Sequence, residues 1–233
     1  RRARGSGAGW PIRTIKLAEF DPLFAPGPLG PARRTEVRFF GDGDGVPGGA
    51  SDRETWILAV LATQATRLFE FGTCTGKTTH VWAVNSPADA TIHTLTLAPG
   101  HWDEYRPVRG DSPAAEAHAL AESAFTEFYY SGTPTASKIE QRYGDSKAFD
   151  DTPFTGRCDL IFVDGSHAYS YVASDSAKAL RMVAPGGVIL WHDYRGPFGE
   201  TRDVYRYLNR LARTHELARF DRTSLVAYRA PRI

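Results

Sequence analysis

The stretch that decides the fold is CDLIFVDGSHAYSYVASDSAKALRMVAPGGVILWHD, residues 158–193. It opens with a continuous apolar run that ends at Asp164, which is typical of a buried parallel strand. Tyr169–Met182 carries apolar residues at helical spacing, and Pro185–Gly187 ends that helix. A second apolar strand, Val188–Asp193, follows. This strand–helix–strand order predicts two strands of a parallel sheet, joined by a helix.

The same alternation extends outward on both sides. Ser51 predicts a helix N-cap, RLFEF (67–71) predicts a strand, and a glycine turn then leads into a helix over Thr78–Val84. Further elements are expected as strands at Thr91–Leu97 and Lys138–Gly144, helices at Pro113–Tyr129 and Val204–Ala212, and a terminal hairpin across Asp221–Thr223. Strands that alternate with helices predict an α/β fold with a doubly wound sheet. In such sheets ligands bind beyond the carboxyl ends of the strands.

The first fifty residues have a different composition. Glycine and proline are dense at Gly5–Gly9, Ala25–Ala32 and Gly41–Gly49, so residues 1–50 are expected to form an irregular arm or lid beside a domain over 51–233. The GDGDG stretch lacks the spacing and terminal Glu of a calcium loop. Apolar residues that would dock part of the arm are Ile12, Ile15, Leu17, Phe20, Leu23 and Phe24.

Charge and composition exclude several classes of protein. The 233 residues carry a formal net charge of +1, which argues against a nucleic-acid partner. Two cysteines are too few for a disulfide framework, and no apolar run is long enough to span a membrane. We therefore expect a cytoplasmic protein with free thiols and no membrane partner, and a homo-oligomer is compatible with these patterns.

The loop GTCTGKTT, Gly72–Thr79, is the first candidate for ligand binding. Three residues separate Gly72 and Gly76, one fewer than a phosphate-binding P-loop requires, so a P-loop nucleotide enzyme is the weaker interpretation. The dinucleotide pattern G-x-G-x-x-G is also absent. An acid at the strand end, Glu70, followed by G-x-x-x-G favours a loop whose backbone closely approaches a cofactor.

Three blocks in order strengthen that interpretation: the loop from Glu70, QRYGDSKAFD at Gln141–Asp150, and FVDGSHAY followed by PGGVILWHDY. Together they resemble the class I S-adenosylmethionine-dependent methyltransferase superfamily over roughly residues 52–228. The resemblance implies a Rossmann-like sheet of about seven strands, the last one antiparallel, with S-adenosylmethionine as cofactor. The cofactor-binding positions that it implies are Glu70, Gly72, Thr73, Gly76, Thr96, Asp145, Ser146 and Asp164.

Thr96 departs from the pattern of the superfamily. An acidic residue usually ends the second strand there and accepts hydrogen bonds from both ribose hydroxyls, whereas a threonine has no charge and cannot bind both. This departure leaves open a repurposed enzyme that performs metal-dependent hydrolysis, elimination or cyclisation. It also leaves open a non-catalytic binding subunit.

Acids and histidines follow the two strands of the opening stretch. Asp164, His167, His192 and Asp193 come from neighbouring strand ends, so they are expected to converge at one edge of the sheet. Two carboxylates and imidazoles can bind a divalent cation. Helix capping by Asp164 and a purely structural His192–Asp193 pair are the alternative interpretations.

In metal-dependent O-methyltransferases of this superfamily, aspartates at the two strand ends hold magnesium. By resemblance, Asp164 and Asp193 would be metal ligands, with His192 where another acid often stands; a nitrogen ligand would favour manganese, iron or zinc over magnesium. His167 is the first candidate for general base, and His192 the second. The sequence thus predicts a methyltransferase that acts on a hydroxyl of a small-molecule acceptor.

Overall fold

The structure, a computed structural model, describes residues 12–41 and 45–232. They contain eight strands: β1 (Thr14–Ile15), β2 (Arg67–Phe71), β3 (Thr91–Thr96), β4 (Ile139–Tyr143), β5 (Cys158–Val163), β6 (Val183–Trp191), β7 (Ala218–Phe220) and β8 (Val226–Arg229). The strands form one sheet in the order β4-β3-β2-β5-β6-β8-β7-β1. Every neighbouring pair is parallel except the two pairs that β8 forms.

Helices cover both faces of this sheet. They are α1 (Leu17–Phe20), α2 (Asp52–Ala62), α3 (Lys77–Asn85), α4 (Pro113–Glu122), α5 (Tyr169–Met182) and α6 (Arg202–Leu211). Alternate residues of β5 enter different cores: Phe162 packs in the core with α2 and α3, whereas Ile161 and Val163 pack in the core with α5 and α6. This alternation is the period-2 pattern of a strand that is buried on both sides.

The predicted doubly wound α/β fold with an antiparallel last strand is therefore confirmed, with one strand more than the expected seven. Strand order reverses between β2 and β5, which are adjacent and parallel. The loops that follow them, residues 72–76 and 164–168, consequently leave the sheet side by side at its carboxyl edge. That edge is where a doubly wound sheet binds ligands.

The eighth strand comes from the N-terminal arm, which is less irregular than its composition predicts. Ile15 lies in β1, which pairs with β7, and Leu17 and Phe24 enter the core beside α2. The ring of Phe24 meets Trp56 edge-on, with 5.4 Å between centroids. Apolar burial of these side chains outweighs the weak strand and helix propensity of the segment. The Gly5–Gly9 stretch, and most of GDGDG, lie outside the described residues.

Two predicted boundaries were wrong. The helix expected over 113–129 ends at Glu122, because the chain then turns so that the backbone N–H of Tyr129 donates to the Thr75 carbonyl at 3.0 Å. The strand expected from Val188 begins at Val183, directly after α5, and it passes through Pro185–Gly187 at an irregular point in its pairing with β5. Across the described ranges, none of the helices is long and apolar enough to cross a membrane.

The docking of the arm gives a first prediction. Phe24→Ala empties a buried site in the core and should lower the free energy of unfolding by about 3 kcal/mol. The matched control is Leu29→Ala in the same arm, where the side chain is fully exposed; we expect a change within about 0.5 kcal/mol. Urea denaturation measures both variants, and equal effects would mean that the arm is not part of the folded core.

Candidate active site

The site begins where the loops after β2 and β5 touch. Gly72 adopts φ +99°, a conformation that residues with a Cβ rarely adopt, and a Cβ there would overlap the carbonyl oxygen of Asp164. The backbone N–H of Asp164 donates to the Phe71 carbonyl at 2.9 Å, and that of Gly72 donates to Leu95 at 2.8 Å. These contacts fix the glycine loop against the loop that carries the acid.

Glu70 lies beneath this loop. Its carboxyl group is fully buried and accepts hydrogen bonds from Thr79 and from Thr94, the latter at 2.6 Å. Burial raises the pKa of Glu70 to about 8 despite these two hydrogen bonds. The Thr73 hydroxyl lies 2.7 Å from that of Thr94, and Gly76 packs against the ring of Tyr130. Glu70, Thr73 and Gly76 therefore shape the loop from below and do not line the cavity above it.

Above the loop lies a narrow cleft of about 530 Å³, its open mouth included. Four predicted cofactor-binding residues line it: Gly72, Thr96, Asp145 and Ser146. We name it the cofactor cleft. Tyr105, which the sequence indicates as a wall residue for the acceptor, lies in the wall of this cleft instead. Tyr171 and Asp175 also line it, and sequence reasoning did not identify either as a site residue. The two tyrosine rings stack 4.4 Å apart, and the Tyr105 hydroxyl lies 2.7 Å from Ser166 Oγ.

The predicted metal ligands lie together beside this cleft. His192 Nδ1 is 3.0 Å from Asp164 Oδ1 and 3.4 Å from Asp193 Oδ2. One donor atom from each of the three residues lies within 4.8 Å of the others. Two carboxylate oxygens and one imidazole nitrogen make a donor set that suits a divalent transition metal, with coordination positions left for other ligands.

His192 is the centre of a buried ionic network. Burial by itself lowers the pKa of His192, but Asp164 and Asp193 outweigh burial and hold the pKa well above 6.5. Its Nε2 lies 3.4 Å from Glu54 Oε2, so both ring nitrogens face carboxylates. This arrangement favours the protonated ring, which has no lone pair to serve as a base. It must lose that proton before it can bind a metal ion.

Glu54 is a member of the cluster that sequence reasoning missed as a site residue. It accepts hydrogen bonds from the backbone N–H of Ser224, at 2.6 Å, and from Ser51. Burial opposes its ionisation, but the hydrogen bond and charge of His192, together with the hydrogen bonds from Ser51 and Ser224, outweigh burial and lower the pKa of Glu54. From the sequence alone, Glu54 is recognisable only as an acidic residue in the first turn of a helix, because its partner His192 is 138 positions away.

His167 is attached to the same cluster through Asp193. Its Nε2 lies 2.9 Å from Asp193 Oδ2 and donates to it, so the lone pair is on Nδ1. Nδ1 is buried and has no hydrogen-bond partner among residues 12–41 and 45–232. The ring stacks on His118 with centroids 4.8 Å apart. Asp193 adopts φ +59°. Its Oδ1 lies 2.8 Å from Arg195 Nε and its Oδ2 faces His167, so the carboxylate lies between the guanidinium and the imidazole.

The cluster opens into a second cavity of about 850 Å³, mouth included, which we name the acceptor cavity. Its wall includes Asp164, His167, His192 and Asp193, together with His118, Glu122, Arg195 and Glu200. Cys74 and Glu122 line both this cavity and the cofactor cleft. Val46, Gly48 and Gly49 of the arm form part of the wall. The two cavities are thus neighbours that share side chains.

Comparison with known proteins identifies the family of the chain. A family model described as "Methyltransferase domain" matches residues 69–194, more than half of the chain. The chain therefore belongs to this family of methyltransferase domains, and its fold is that of the class I S-adenosylmethionine-dependent superfamily. No curated protein sequence matches it.

Solved structures share the fold at low sequence identity. The O-methyltransferase TomG from Streptomyces achromogenes, involved in tomaymycin synthesis and solved with S-adenosylmethionine, is 20% identical with a TM-score of 0.53, over 78% of this chain and 82% of its own. A putative O-methyltransferase from Klebsiella pneumoniae is 18% identical, with a TM-score of 0.52 over 86% of each chain. An O-methyltransferase from Bacillus cereus, in complex with S-adenosylhomocysteine, is 17% identical, with a TM-score of 0.51 over 78% and 83%.

The contact between the two loops gives a second prediction. In Gly72→Ala the new Cβ would clash with the Asp164 carbonyl, and the residue would also be strained at positive φ. In Gly100→Ala only the strain is present, because Gly100 has φ +80° but open space around it. We expect Gly100→Ala to cost about 1 kcal/mol and Gly72→Ala about 2 to 3 kcal/mol more. Urea unfolding measures the difference. Equal costs would show that the loops do not touch as described.

Proposed function

We propose that the protein is an S-adenosylmethionine-dependent O-methyltransferase that methylates a hydroxyl group of a small molecule with the help of a divalent cation. The observation that carries this proposal is the shared wall of the two cavities, formed by Cys74 and Glu122. Methyl transfer is an in-line displacement, so the methyl donor and the acceptor oxygen must occupy adjoining spaces in a fixed orientation. The cofactor cleft and the acceptor cavity supply those spaces.

The cofactor half of the proposal rests on the residues of the cleft. Gly72 lies in the wall of the cleft at the point where the two loops touch, and Asp145, Ser146 and Thr96 offer polar groups along it. S-adenosylmethionine is bound in TomG, and S-adenosylhomocysteine in the Bacillus cereus enzyme, which have the same fold. When bound, the cofactor supplies a methyl group on a positively charged sulfur.

A divalent cation fits the donor set of Asp164, His192 and Asp193. Such a cation would replace the proton of His192 and polarise the acceptor hydroxyl. Glu54 contacts the far nitrogen of that ring, which fixes its orientation and keeps Nδ1 directed at the two aspartates. Mn²⁺, Fe²⁺ or Zn²⁺ suits one nitrogen and two oxygen ligands better than Mg²⁺ does.

His167 is the residue we assign to proton removal. Asp193 accepts a hydrogen bond from the Nε2–H of His167 and so favours the tautomer whose lone pair is on Nδ1. Nδ1 then takes the acceptor's hydroxyl proton as the oxygen attacks. Because Nδ1 is buried without a partner among the described residues, this role requires a small rotation of the ring toward the acceptor.

Thr96 supports a second candidate function. It lines the cofactor cleft at the end of β3, the position where the superfamily usually has an acid for the ribose. An enzyme that keeps the cation cluster but has given up methyl transfer, for hydrolysis, elimination or cyclisation, is consistent with that substitution. The intact ionic cluster argues against a non-catalytic binding subunit.

Calorimetric titration of the protein with S-adenosylhomocysteine, and separately with ATP, is the direct test. We expect stoichiometric binding of S-adenosylhomocysteine and none of ATP, because the glycine loop is one residue too short to enclose a phosphate. No heat with S-adenosylhomocysteine would overturn the proposal. Binding of ATP alone would favour a nucleotide enzyme.

The cation is tested by removing its ligands one at a time. Asp164→Asn and Asp193→Asn should each weaken Mn²⁺ binding at least tenfold. Loss of a group that only orients a metal ligand already lowers metal affinity by about tenfold or more, and loss of a ligand itself should cost at least as much. Asp150→Asn is the matched control, because Asp150 is a fully exposed aspartate outside the cluster. Titration followed by electron paramagnetic resonance of free Mn²⁺ measures all three variants. Unchanged affinity in both cluster variants would remove the proposed site.

A further inference from the structure

One carboxyl group in the wall of the cofactor cleft has no role in the mechanism above. Asp175 lies in the second turn of α5 with only 1% of its surface exposed, and it lines the cleft. Its Oδ1 has no hydrogen-bond partner in the part of the chain that the structure describes. A buried polar atom without a partner is costly, and because Asp175 lines the cleft, a bound ligand can supply the missing donor.

The groups around Asp175 leave that oxygen free. The Ser146 hydroxyl bonds to the carboxyl group, and the charges of Lys178 and Lys147 act on it. Both ammonium groups donate elsewhere: Lys178 to the carbonyls of Lys147 and Phe149 at 3.1 and 2.6 Å, and Lys147 to Ser170 Oγ at 2.6 Å. Burial raises the pKa of Asp175 to about 7, which the Ser146 hydroxyl and the charge of Lys178 oppose. A donor from a ligand would favour the ionised carboxylate.

The position of Asp175 indicates which part of a cofactor it would meet. Tyr171, Asp145 and Ser146 line the cleft with it, whereas Cys74 and Glu122 line the part that continues into the acceptor cavity. The rings of Tyr105 and Tyr171 stack on each other, and Lys147 Nζ lies 3.9 Å from the centroid of the Tyr171 ring. Both tyrosines line this part of the cleft, and the aromatic surface there suits a heteroaromatic ring better than a sugar or an amino-acid chain. A purine with an exocyclic amino group offers both a flat face and N–H donors.

We propose that Asp175 Oδ1 accepts a hydrogen bond from the exocyclic amino group of the cofactor's adenine, which makes Asp175 a specificity-determining residue for the base. This inference rests on the proposed function, because it requires an adenosine cofactor in the cleft. Asp175 then distinguishes adenine from a purine that lacks the amino group. A site with a dedicated acceptor binds a ligand without the matching donor less well, because the buried acceptor remains unpaired.

The experiment is a double-mutant cycle between protein and ligand. Dissociation constants are measured by calorimetry for S-adenosylhomocysteine and for its analogue with hydrogen in place of the 6-amino group. For the wild-type protein, we expect removal of the amino group to weaken binding at least tenfold. For Asp175→Ala, the same removal should change binding less than about threefold, because no acceptor is left to pair.

Asp203→Ala is the matched control. Asp203 is also a 1% exposed aspartate with one unpartnered oxygen among the described residues, but it lies in α6 with Arg206 and Arg202 and outside the cofactor cleft. It should keep the wild-type penalty for removal of the amino group. A merely structural role of Asp175 would lower the affinity for both ligands equally and leave the ratio unchanged, and that result would overturn the inference.

Two further arms keep the result interpretable. If Asp175→Ala does not fold, Asp175→Asn replaces it. The neutral amide oxygen makes a weaker hydrogen bond, so the fold-loss of affinity on removal of the 6-amino group should fall to about half of the wild-type value or less. An unchanged loss would contradict the inference.

The second arm uses an analogue of S-adenosylhomocysteine that lacks the 3′-hydroxyl of the ribose. Removal of this hydroxyl should weaken binding by the same factor in wild type and variant. If the loss of affinity disappears in the variant, Asp175 contacts the ribose instead. Failure of wild type to bind S-adenosylhomocysteine would refute the proposed function itself, not the assignment of Asp175.

Discussion

The close contact between Gly72 and the Asp164 carbonyl is the constraint on which the rest of the site depends. It brings together two loops that follow adjacent parallel strands, β2 and β5, at the point where the strand order reverses. The first loop forms the floor of the cofactor cleft, and the second carries the acid of the ionic cluster. A side chain at position 72 would separate them. A backbone position that only glycine occupies easily therefore sets the distance between the cofactor cleft and the acceptor cavity.

The ionic cluster adds a second constraint, which is electrostatic. His192 lies among the carboxylates of Glu54, Asp164 and Asp193, all largely buried. Buried charges persist in a protein only when they are paired or bind a metal ion, so the members of this network stabilise one another in one geometry. Because Glu54 also binds the backbone of Ser224, the network ties α2 and the loop before β8 to the ends of β5 and β6. The side chains that would hold a cation are thereby positioned before it binds.

Sequence patterns predicted the features that depend on residues close together along the chain. Asp164, His192 and Asp193 were predicted as neighbours because each follows a buried strand, and the structure brings them together. Glu54 was missed because its contacts to His192 and Ser224 span more than a hundred residues, and no local pattern encodes them. Glu70 stands in the glycine-loop pattern, yet the register of β3 places Thr94 beside it and turns its carboxyl group into a buried structural partner. The role of the arm in the core was likewise hidden, since composition describes local flexibility and not the apolar surface that a segment can cover.

The cofactor cleft and the acceptor cavity, which holds the cation cluster, share the side chains of Cys74 and Glu122. Paramagnetic relaxation by Mn²⁺ of the proton resonances of bound S-adenosylhomocysteine measures this proximity, because the effect depends steeply on distance and requires no knowledge of the acceptor. With Mn²⁺ at Asp164, His192 and Asp193, the methylene protons beside the sulfur should relax faster than the adenine protons, since the cavity with these residues adjoins the end of the cleft formed by Cys74 and Glu122. Faster relaxation of the adenine protons, or no enhancement on any proton, would contradict this arrangement.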